Sequence, residues 1–479
     1  MTDSPPTPAR HRQKLPSWRW EALRTTFWLL PTALIGVAVV LFAVTFLIDL
    51  AAFHHHLTLP AWVNAGSADA GREVLIAIAA AVITVVGVVF SITILALTLA
   101  SQQFGPRMMR NFVRDVGNQV TLGVFVATFV YSILALGSIA SDRRGLFVPH
   151  LSITVAEALS LADIAVLVYF IHHIAKSIQL PEVIAGIARD LTKAIDAEFP
   201  AERGHASLRE PEGSGRTVAE LVRAIDERGV VVTAGVSGYL QFVGYAQLVE
   251  IAQRMDAVIR LDHRPGHFVV AGRPLATVWP SGAGPQVAAA LAEAHVTGPH
   301  RTLMQDPVFA IDQLVEIAIR ALSPAVNDTF TALTCIDWLS AGLTRVSGRP
   351  LVEGVYRDNF GRVRLIESDP SYARMVNRAY DKVRQAARGM PAVIIRMLDS
   401  LTAIVEQTTS EAQRRSLVRQ AEMIMRGAEE SVTEPDDLED IRARYRRMTQ
   451  SAAASDPAAA AAPVAVGDPA GEERATPAS

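Results

Sequence analysis

The sequence predicts a mostly α membrane protein, with four transmembrane helices followed by a cytosolic α+β domain that contains a small β element and a C-terminal helical bundle. Half of the 479 residues are hydrophobic, only 19% are charged, and the mean hydropathy is +0.25. This composition is too apolar for an ordinary soluble enzyme. Short β-branched runs separated by glycine turns follow the apolar half, and amphipathic helical patterns follow those.

Four apolar runs cover residues 26–48, 74–100, 120–139 and 151–174. Each is long enough to cross a hydrocarbon core, which takes roughly 20 helical residues. Lys and Arg cluster before the first run and after the second and fourth, whereas the two opposite loops contain only Arg72, Arg143 and Arg144. Because Lys and Arg resist translocation, we expect both termini and everything after about residue 175 to face the cytosol.

The second span carries a stripe of small and weakly polar residues at helical spacing. Such a stripe has two interpretations: close packing between helices, or the lining of a pore built from several copies of the helix. In the pore interpretation, the polar residues that follow the span form a cytoplasmic mouth whose positive field favours anions. The stripe comprises Thr84, Gly87, Ser91, Thr98, Gln102 and Gly105, and the predicted mouth comprises Gln103, Pro106, Arg107 and Arg110.

The fourth span contains two carboxyl groups, Glu157 and Asp163. Glu157 is expected near the outer interface, so Asp163 is the deeper intramembrane carboxylate. Asp163 is either a hydrogen-bonded group packed against another helix or a functional residue, because such groups are costly in lipid.

Several long motifs resemble the bacterial family of predicted membrane proteins known as domain of unknown function 2254. They are "SITILALTLASQQFGPRMMRNFVRDVGNQVTLGVFVATFVYSILAL", "FVPHLSITVA", "YFIHHIAKSIQ" and the later "RTLMQDPVFAIDQLVEIAIRALSPAVNDTFTALTCIDWL". The chain departs from the family at Thr329, where proline is favoured. The resemblance implies a four-span protein of the bacterial inner membrane with a cytosolic domain. It implies no established activity.

The sequence divides into six predicted segments. They are a cytoplasmic N-terminal segment (residues 1–25), the transmembrane domain (26–175), a helical connector and linker (176–229), a β-rich subdomain (230–280), a helical domain with one β-hairpin (281–450) and a disordered tail (451–479). The tail is rich in Ala, Pro and Gly and has no core-forming pattern.

The order of strands in the β-rich subdomain resembles a barrel-sandwich of the biotinyl and lipoyl type. The resemblance extends to the scaffold only, because a carrier domain needs a lysine at a hairpin tip and residues 230–280 contain none. The turn "DHRPGH" holds Asp262, His263 and His267. Polar residues at a Pro-Gly turn are solvated in any case, so we expect no metal there.

A polar cluster is predicted around two helix ends in the second family motif. Asp306 and Asp328 are expected to cap the helices that follow them. The remaining residues form either a buried hydrogen-bond network or a site for a small anionic ligand. The cluster comprises Arg301, Gln305, Asp306, Arg320, Ser323, Asn327 and Asp328.

No catalytic or cofactor-binding motif is found in the sequence, so we expect neither enzymatic activity nor a cofactor. The net charge of -3 gives no basis for nucleic-acid binding. The single cysteine, Cys335, lies in an apolar run and is expected to be a buried structural thiol. Two functions are left: a homo-oligomeric ion channel or channel-like permease in the lipid bilayer, with a cytosolic regulatory domain, or a membrane-anchored sensor or scaffold that binds a small ligand or a protein partner.

Overall fold

The computed structural model describes residues 28–54, 60, 63, 66–104, 115–142, 145–199, 216–349, 354–367 and 372–454. The chain forms two compact units, Met1–Gly186 and Ile187–Ser479. The predicted N-terminal segment and residues 455–479 of the predicted tail lie outside the described residues.

The first unit is built from four long helices. They are α1 (Leu29–Phe53), α2 (Ala68–Phe104), α3 (Val116–Gly137) and α4 (His150–Ser177), with a small hairpin of β1 (Ala140–Asp142) and β2 (Gly145–Phe147) between the last two. All four are long and apolar enough to cross a membrane. The predicted four-helix membrane domain is therefore confirmed as four apolar helices.

Helix α3 packs against the other three helices of the first unit. Gly123 lets α1 come close, because a Cβ atom at this position would lie 3.0 Å from Cα of Pro31 and 2.6 Å from Cδ1 of Leu34. The core around α3 contains Leu75, Phe125, Tyr131 and other buried side chains. The third span is therefore the central helix of this unit.

The second unit combines two sheets with a set of helices. Its elements are the end of α5 (Leu180–Glu198), α6 (Val218–Arg228), β3 (Val230–Thr233), β4 (Gly238–Val243), α7 (Tyr245–Arg254), β5 (Val258–Leu261), β6 (Phe268–Val269), β7 (Pro274–Trp279), α8 (Gly284–Ala294), β8 (His295–Gly298), α9 (Pro307–Ala321), α10 (Thr329–Ser347), β9 (Val355–Arg357), β10 (Val363–Glu367), α11 (Tyr372–Ala386), α12 (Pro391–Val405), α13 (Glu411–Ser431) and α14 (Pro435–Ala454).

The strands form a five-stranded sheet in the order β3-β7-β5-β10-β9 and a three-stranded sheet in the order β6-β4-β8. All pairs are antiparallel except β5 with β10, which are parallel with Leu365 opposite Ile259. Both sheets take strands from beyond residue 280. A barrel-sandwich confined to residues 230–280 is therefore not confirmed by this topology.

The predicted hairpin of β9 and β10 is confirmed, and β10 also pairs with β5, so the hairpin is part of the five-stranded sheet. This pairing buries Leu365 in the same core as Ile259 and Val278. The four C-terminal helices α11 to α14 occur close to the predicted positions and pack around fully buried side chains such as Tyr380 and Met397.

Candidate functional site

One face of α3 is polar although it is buried inside the four-helix unit. The face carries Asn118, Thr121, Thr128 and Ser132, and each side chain is no more than 4% exposed. Their spacing of three, seven and four residues places them on one side of the helix. The face extends about 21 Å along the helix axis, which is most of the thickness of a hydrocarbon core.

Asp163 of α4 lies against the middle of this face. Its side chain is 4% exposed, and its Oδ1 accepts a hydrogen bond from Oγ1 of Thr128 at 3.2 Å. Its Oδ2 has no hydrogen-bond partner among the described residues. The apolar stretches 29–53, 74–99, 116–137 and 150–175 contain neither Lys nor Arg. The predicted intramembrane carboxylate is thus buried and is bonded through a hydroxyl group.

A second buried carboxylate, Asp49, lies at the end of α1. Its two oxygens accept from the backbone amides of Leu151 and Ser152 at 2.8 and 2.9 Å, and from Oγ of Ser152 at 2.7 Å. Asp49 therefore caps the N-terminus of α4, whose amides carry partial positive charge. The bonds continue from Ser152 to Thr45 at 3.1 Å and from Thr45 to Tyr131 at 2.8 Å.

At the opposite end of α3, Asp115 joins this helix to α4. Its Oδ1 lies 2.7 Å from Nε2 of His173 and accepts a bond from the amide of Asn118 at 3.2 Å. Gly117 makes room for the imidazole, because a Cβ atom there would lie 2.5 Å from Nε2 of His173. An ionisable pair therefore stands at one end of the polar face of α3.

These groups form three hydrogen-bonded sets at different levels of the four-helix unit, and together with the other polar residues of the α3 face we call them the polar column. Four atoms in the column are buried and have no hydrogen-bond partner among the described residues: both amide atoms of Asn118, Oγ1 of Thr121 and Oδ2 of Asp163. Phe125 occupies the same face between Thr121 and Thr128. Unsatisfied polar atoms are expensive in an apolar interior, so their concentration here is typical of a functional site. The polar column comprises His173, Asp115, Asn118, Thr121, Thr128, Asp163, Ser132, Tyr131, Thr45, Ser152 and Asp49.

The predicted stripe on α2 lies on the outer face of the same unit. Thr84, Gly87, Ser91 and Thr98 are all exposed, and a Cβ atom at Gly87 would meet nothing within 4 Å. The hydroxyls of Thr84, Ser91 and Thr98 donate to the carbonyls four residues earlier at 2.7 to 2.9 Å. The stripe therefore does not pack against α1, α3 or α4, and its role stays a prediction.

The predicted mouth falls largely outside the described residues. Gln102 and Gln103 are in the last turn of α2, which the structure follows to Phe104. The remaining positions, Gly105, Pro106, Arg107 and Arg110, lie outside the described residues.

The predicted polar cluster of the second unit separates into two groups at opposite ends of α9, about 22 Å apart for a helix of this length. At the start, Arg301 binds Asp306 at 2.7 Å and Asp312 at 2.5 Å. Gln305 bonds to both backbone groups of Val243 in β4, at 2.8 and 3.1 Å. These contacts hold α9 to the three-stranded sheet.

The predicted cap at Asp306 is wrong, because its carboxylate makes no hydrogen bond to the amides of α9 and pairs with Arg301 instead. The cap at Asp328 is confirmed, since its side chain accepts from the amide and hydroxyl of Thr331 at 3.1 and 2.6 Å. The residues that complete this second group are Arg320, whose carbonyl accepts from Ser323 Oγ at 2.7 Å, and Asn327, which has a φ of 50°.

Cys335 is fully buried in α10, and burial, followed by the charge of Asp328, raises the pKa of its thiol to about 12. This agrees with the predicted structural role. In the turn that follows β5, Asp262 bonds to Arg260 and Thr277, while the rings of His263 and His267 lie 5.9 Å apart. The described residues contain no group of three metal-ligating side chains at this turn or elsewhere.

Sequence reasoning missed the polar face of α3 and the role of Asp49. The polar face could have been predicted from its helical spacing within an apolar span, which is shared by Asn118, Thr121, Thr128 and Ser132. The signal for Asp49 is weaker, because its partners lie about a hundred residues later in the chain.

The four apolar helices and the buried column define a polytopic membrane protein with ionisable groups among its apolar helices. The family model described as "Predicted membrane protein (DUF2254)" matches residues 24–403, so the chain belongs to this family. Uncharacterized proteins of Mycobacterium bovis and Mycobacterium tuberculosis are each 32% identical to it over 392 residues, which is 80% of this chain and 73% of each relative. No solved structure matches the chain.

Proposed function

We propose that this protein is an ion-translocating membrane protein, a channel or channel-like permease, and that a proton passes through the four-helix unit along the polar column. The observation that carries the proposal is Asp163, a buried carboxyl group with one unpartnered oxygen in spans that contain no Lys or Arg. A carboxylate without a cationic partner in lipid is the usual mark of a cation or proton path.

The charges of the column favour a cation over an anion. Its buried charges are the carboxylates of Asp163 and Asp49, while the ionisable imidazole, His173, stands at one end. A hydroxyl group can both donate and accept a hydrogen bond, as proton transfer requires. The hydroxyl of Thr128 bonds to Asp163, and those of Ser152, Thr45 and Tyr131 are bonded in series. This selectivity is the reverse of the anion preference that a ring of arginines at the mouth would give.

The proposal includes self-association of the protein through the α2 stripe. The stripe is exposed, and it combines small residues with hydroxyls that already bond to their own helix. Small residues let helices come close together in lipid. With the Lys and Arg bias of the loops, the proposal places the protein in the bacterial inner membrane with both termini in the cytoplasm.

The test measures proton flux into liposomes that contain the purified full chain, using a trapped pH-sensitive dye and an imposed potassium diffusion potential. We expect wild-type flux to fall at least tenfold in Asp163→Asn, because the amide cannot release a proton. Glu73→Gln is the matched control, since Glu73 is an exposed carboxyl group near the start of α2. It is expected to conduct as wild type does.

The variant Gly87→Leu distinguishes a proton path along the polar column from a path between two copies of the chain at the α2 stripe. The added side chain has open space in one protomer and would obstruct only a path or contact at the stripe. Loss of flux in Gly87→Leu together with full flux in Asp163→Asn would indicate that protons pass between copies of the chain at the α2 stripe and not along the polar column. Absence of proton flux in the wild type across voltage and pH would overturn the proposal.

A further inference from the structure

Two loops that run between the two sheets of the second unit are joined to each other. The first connects β3 to β4 (residues 234–237), and the second connects β6 to β7 (residues 270–273). The amide of Ala234 donates to the carbonyl of Arg273 at 2.9 Å, and the amide of Gly272 donates to the carbonyl of Ala234 at 2.8 Å. We call these two joined loops the loop tip.

The loop tip carries a cluster of exposed apolar side chains. Val236 is 57% exposed and Val270 is 49% exposed, and Phe268, which stands just before the second loop, is 53% exposed. The amide of Ala271 donates to Oγ of Ser237 at 2.9 Å, which joins the chain neighbours of the two valines. Large apolar side chains that cluster on a surface mark a place of contact with a partner or a membrane.

The backbone of the loop tip is bonded within the protein. The amide of Arg273 donates to the carbonyl of Val270 at 3.0 Å, and Gly272, with a φ of 78°, occupies the third position of this turn, which favours glycine. A Cβ atom at Gly235 or Gly272 would meet nothing within 4 Å, so open space surrounds both loops. Because these amides already have partners, the tip can enter an apolar layer without leaving them unsatisfied.

The loop tip and the segments beside it have no acidic side chain. Residues 229–249 and 263–292 contain neither Asp nor Glu. The same is true of residues 298–301, which lie on the other side of β4 because Gly298 pairs with Tyr239. The one charged residue of the two loops is Arg273, and its side chain is exposed. A positive charge beside exposed apolar side chains complements a surface that is both negatively charged and apolar, as an anionic bilayer is.

The chain itself connects this unit to a bilayer. The last of the four apolar helices, α4, ends at Ser177, and the second unit begins soon afterwards at Ile187. A tether of this kind keeps a weak binding surface at a local concentration on the order of millimolar, so a few apolar side chains are sufficient for docking. A protein partner in solution has no such advantage.

We propose that the loop tip docks on the anionic lipid surface of the membrane that contains the four apolar helices. Val236, Phe268 and Val270 enter the boundary between headgroups and acyl chains, and Arg273 binds lipid phosphate groups. This docking surface lies wholly in the second unit and does not depend on the proton path.

The test places a fluorophore on Val270→Cys in the full chain, reconstituted at one chain per nanodisc. Cys335 is fully buried, so a thiol reagent reacts at the introduced cysteine. The discs contain phosphatidylglycerol with a nitroxide on its acyl chains, which quenches a fluorophore that reaches the bilayer. We expect about half or more of the fluorescence to be lost. Val236→Asp and Arg273→Gln should each restore part of it, as should replacement of the phosphatidylglycerol by nitroxide-labelled phosphatidylcholine.

Arg426→Cys with the same fluorophore is the matched control, because Arg426 is an exposed residue of α13 in the same unit. It is expected to be quenched weakly. Stronger quenching at Val270→Cys that falls in Val236→Asp supports docking on lipid. Equal quenching at the two positions, or no fall when phosphatidylcholine replaces phosphatidylglycerol, would overturn the proposal. Shielding of the fluorophore from water only when two chains share a disc, without quenching by lipid, would identify a second copy as the occupant and would also overturn it.

Discussion

Buried aspartates have different hydrogen-bond partners in the two units of this protein. In the second unit, Asp358 is paired with Arg364 at 2.8 Å, and Asp312 is shared by Arg301 and Arg378. In the first unit, Asp163 has a hydroxyl group of Thr128 as its partner, and Asp49 has backbone amides and a hydroxyl group. A guanidinium partner favours the charged form of a carboxylate, whereas a hydroxyl partner brings no charge and leaves the carboxyl group able to exchange a proton or bind a cation.

The largest effect on stability is expected where a buried guanidinium group loses its carboxylate partner. The side chain of Asp358 is fully buried, and it also accepts from the amides of Phe360 and Arg362 at 2.9 and 3.0 Å. Although burial alone would raise the pKa of this carboxyl, the bonds from Arg364 and these amides lower it. Asp358→Ala is expected to reduce the free energy of unfolding by about 3–5 kcal/mol, because three hydrogen bonds to the carboxylate are lost and the buried Arg364 is left with its ion pair to the exposed Asp256 at 2.8 Å.

Chemical denaturation followed by tryptophan fluorescence measures this loss, since Trp279 and Trp338 report on the second unit. Glu430→Ala, which breaks the exposed pair with Arg388, is the control and is expected to cost less than about 1 kcal/mol. Equal effects of the two variants would contradict the contrast between buried and exposed pairs.

An intermediate effect on the free energy of unfolding is expected when a change of pH protonates His267. Burial, then the charges of Arg264 and Arg374, lowers the pKa of His267 to about 4. The unfolded imidazole has a pKa of 6.5 and the folded one about 4, so between these values the unfolded chain binds the proton more strongly. The stability that this group contributes is complete above pH 6.5 and is lost as the pH falls toward 4, by up to about 3 kcal/mol.

Comparison of wild type with His267→Gln isolates this contribution. Burial raises the pKa of Asp306 and Glu367, which produces a slope of opposite sign that is common to both proteins. The difference between their free energies of unfolding should therefore change between pH 6.5 and 4 and be constant above pH 7. Parallel curves over this whole range would show that the imidazole titrates normally in the folded protein.

The smallest effect on stability is expected at Asp163. An asparagine at this position can still bond to Thr128 and leaves no cation unpaired, so Asp163→Asn should change the free energy of unfolding by about 1 kcal/mol or less. Thermal unfolding in detergent at pH 7 measures it. A loss as large as that of Asp358→Ala would identify Asp163 as a structural residue and would weaken its assignment to a proton path.

The sequence predicted the parts of the fold that depend on local pattern. Four spans, the helix α7 and the four C-terminal helices follow from hydropathy and helical periodicity, which are properties of neighbouring residues. The parallel pairing of β5 with β10 joins residues about a hundred positions apart, and no local pattern records such a pairing. The cap at Asp306 was predicted wrongly because Arg301 competes for the same carboxylate through a tertiary contact.

The candidate site was predicted in part. Asp163 was identified because a carboxyl group in an apolar span is conspicuous. Thr128 and Ser132 look like ordinary small residues until α3 is seen to be central, since the direction of a helix face depends on its neighbours. The turn at His267 was predicted only to be solvated, because Arg374, whose Nη1 lies 3.4 Å from Nε2 of His267, comes from a helix about a hundred residues later.

The cap that Asp49 forms on α4 has a consequence for biogenesis. Asp49 leaves the ribosome with the first span, whereas the amides of Leu151 and Ser152 that bind it are made about a hundred residues later. The carboxylate of Asp49 therefore has none of these amide partners until the fourth helix has been made. The hydrogen bonds between Asp49 and the N-terminus of α4 can form only once both the first and the fourth helix are present.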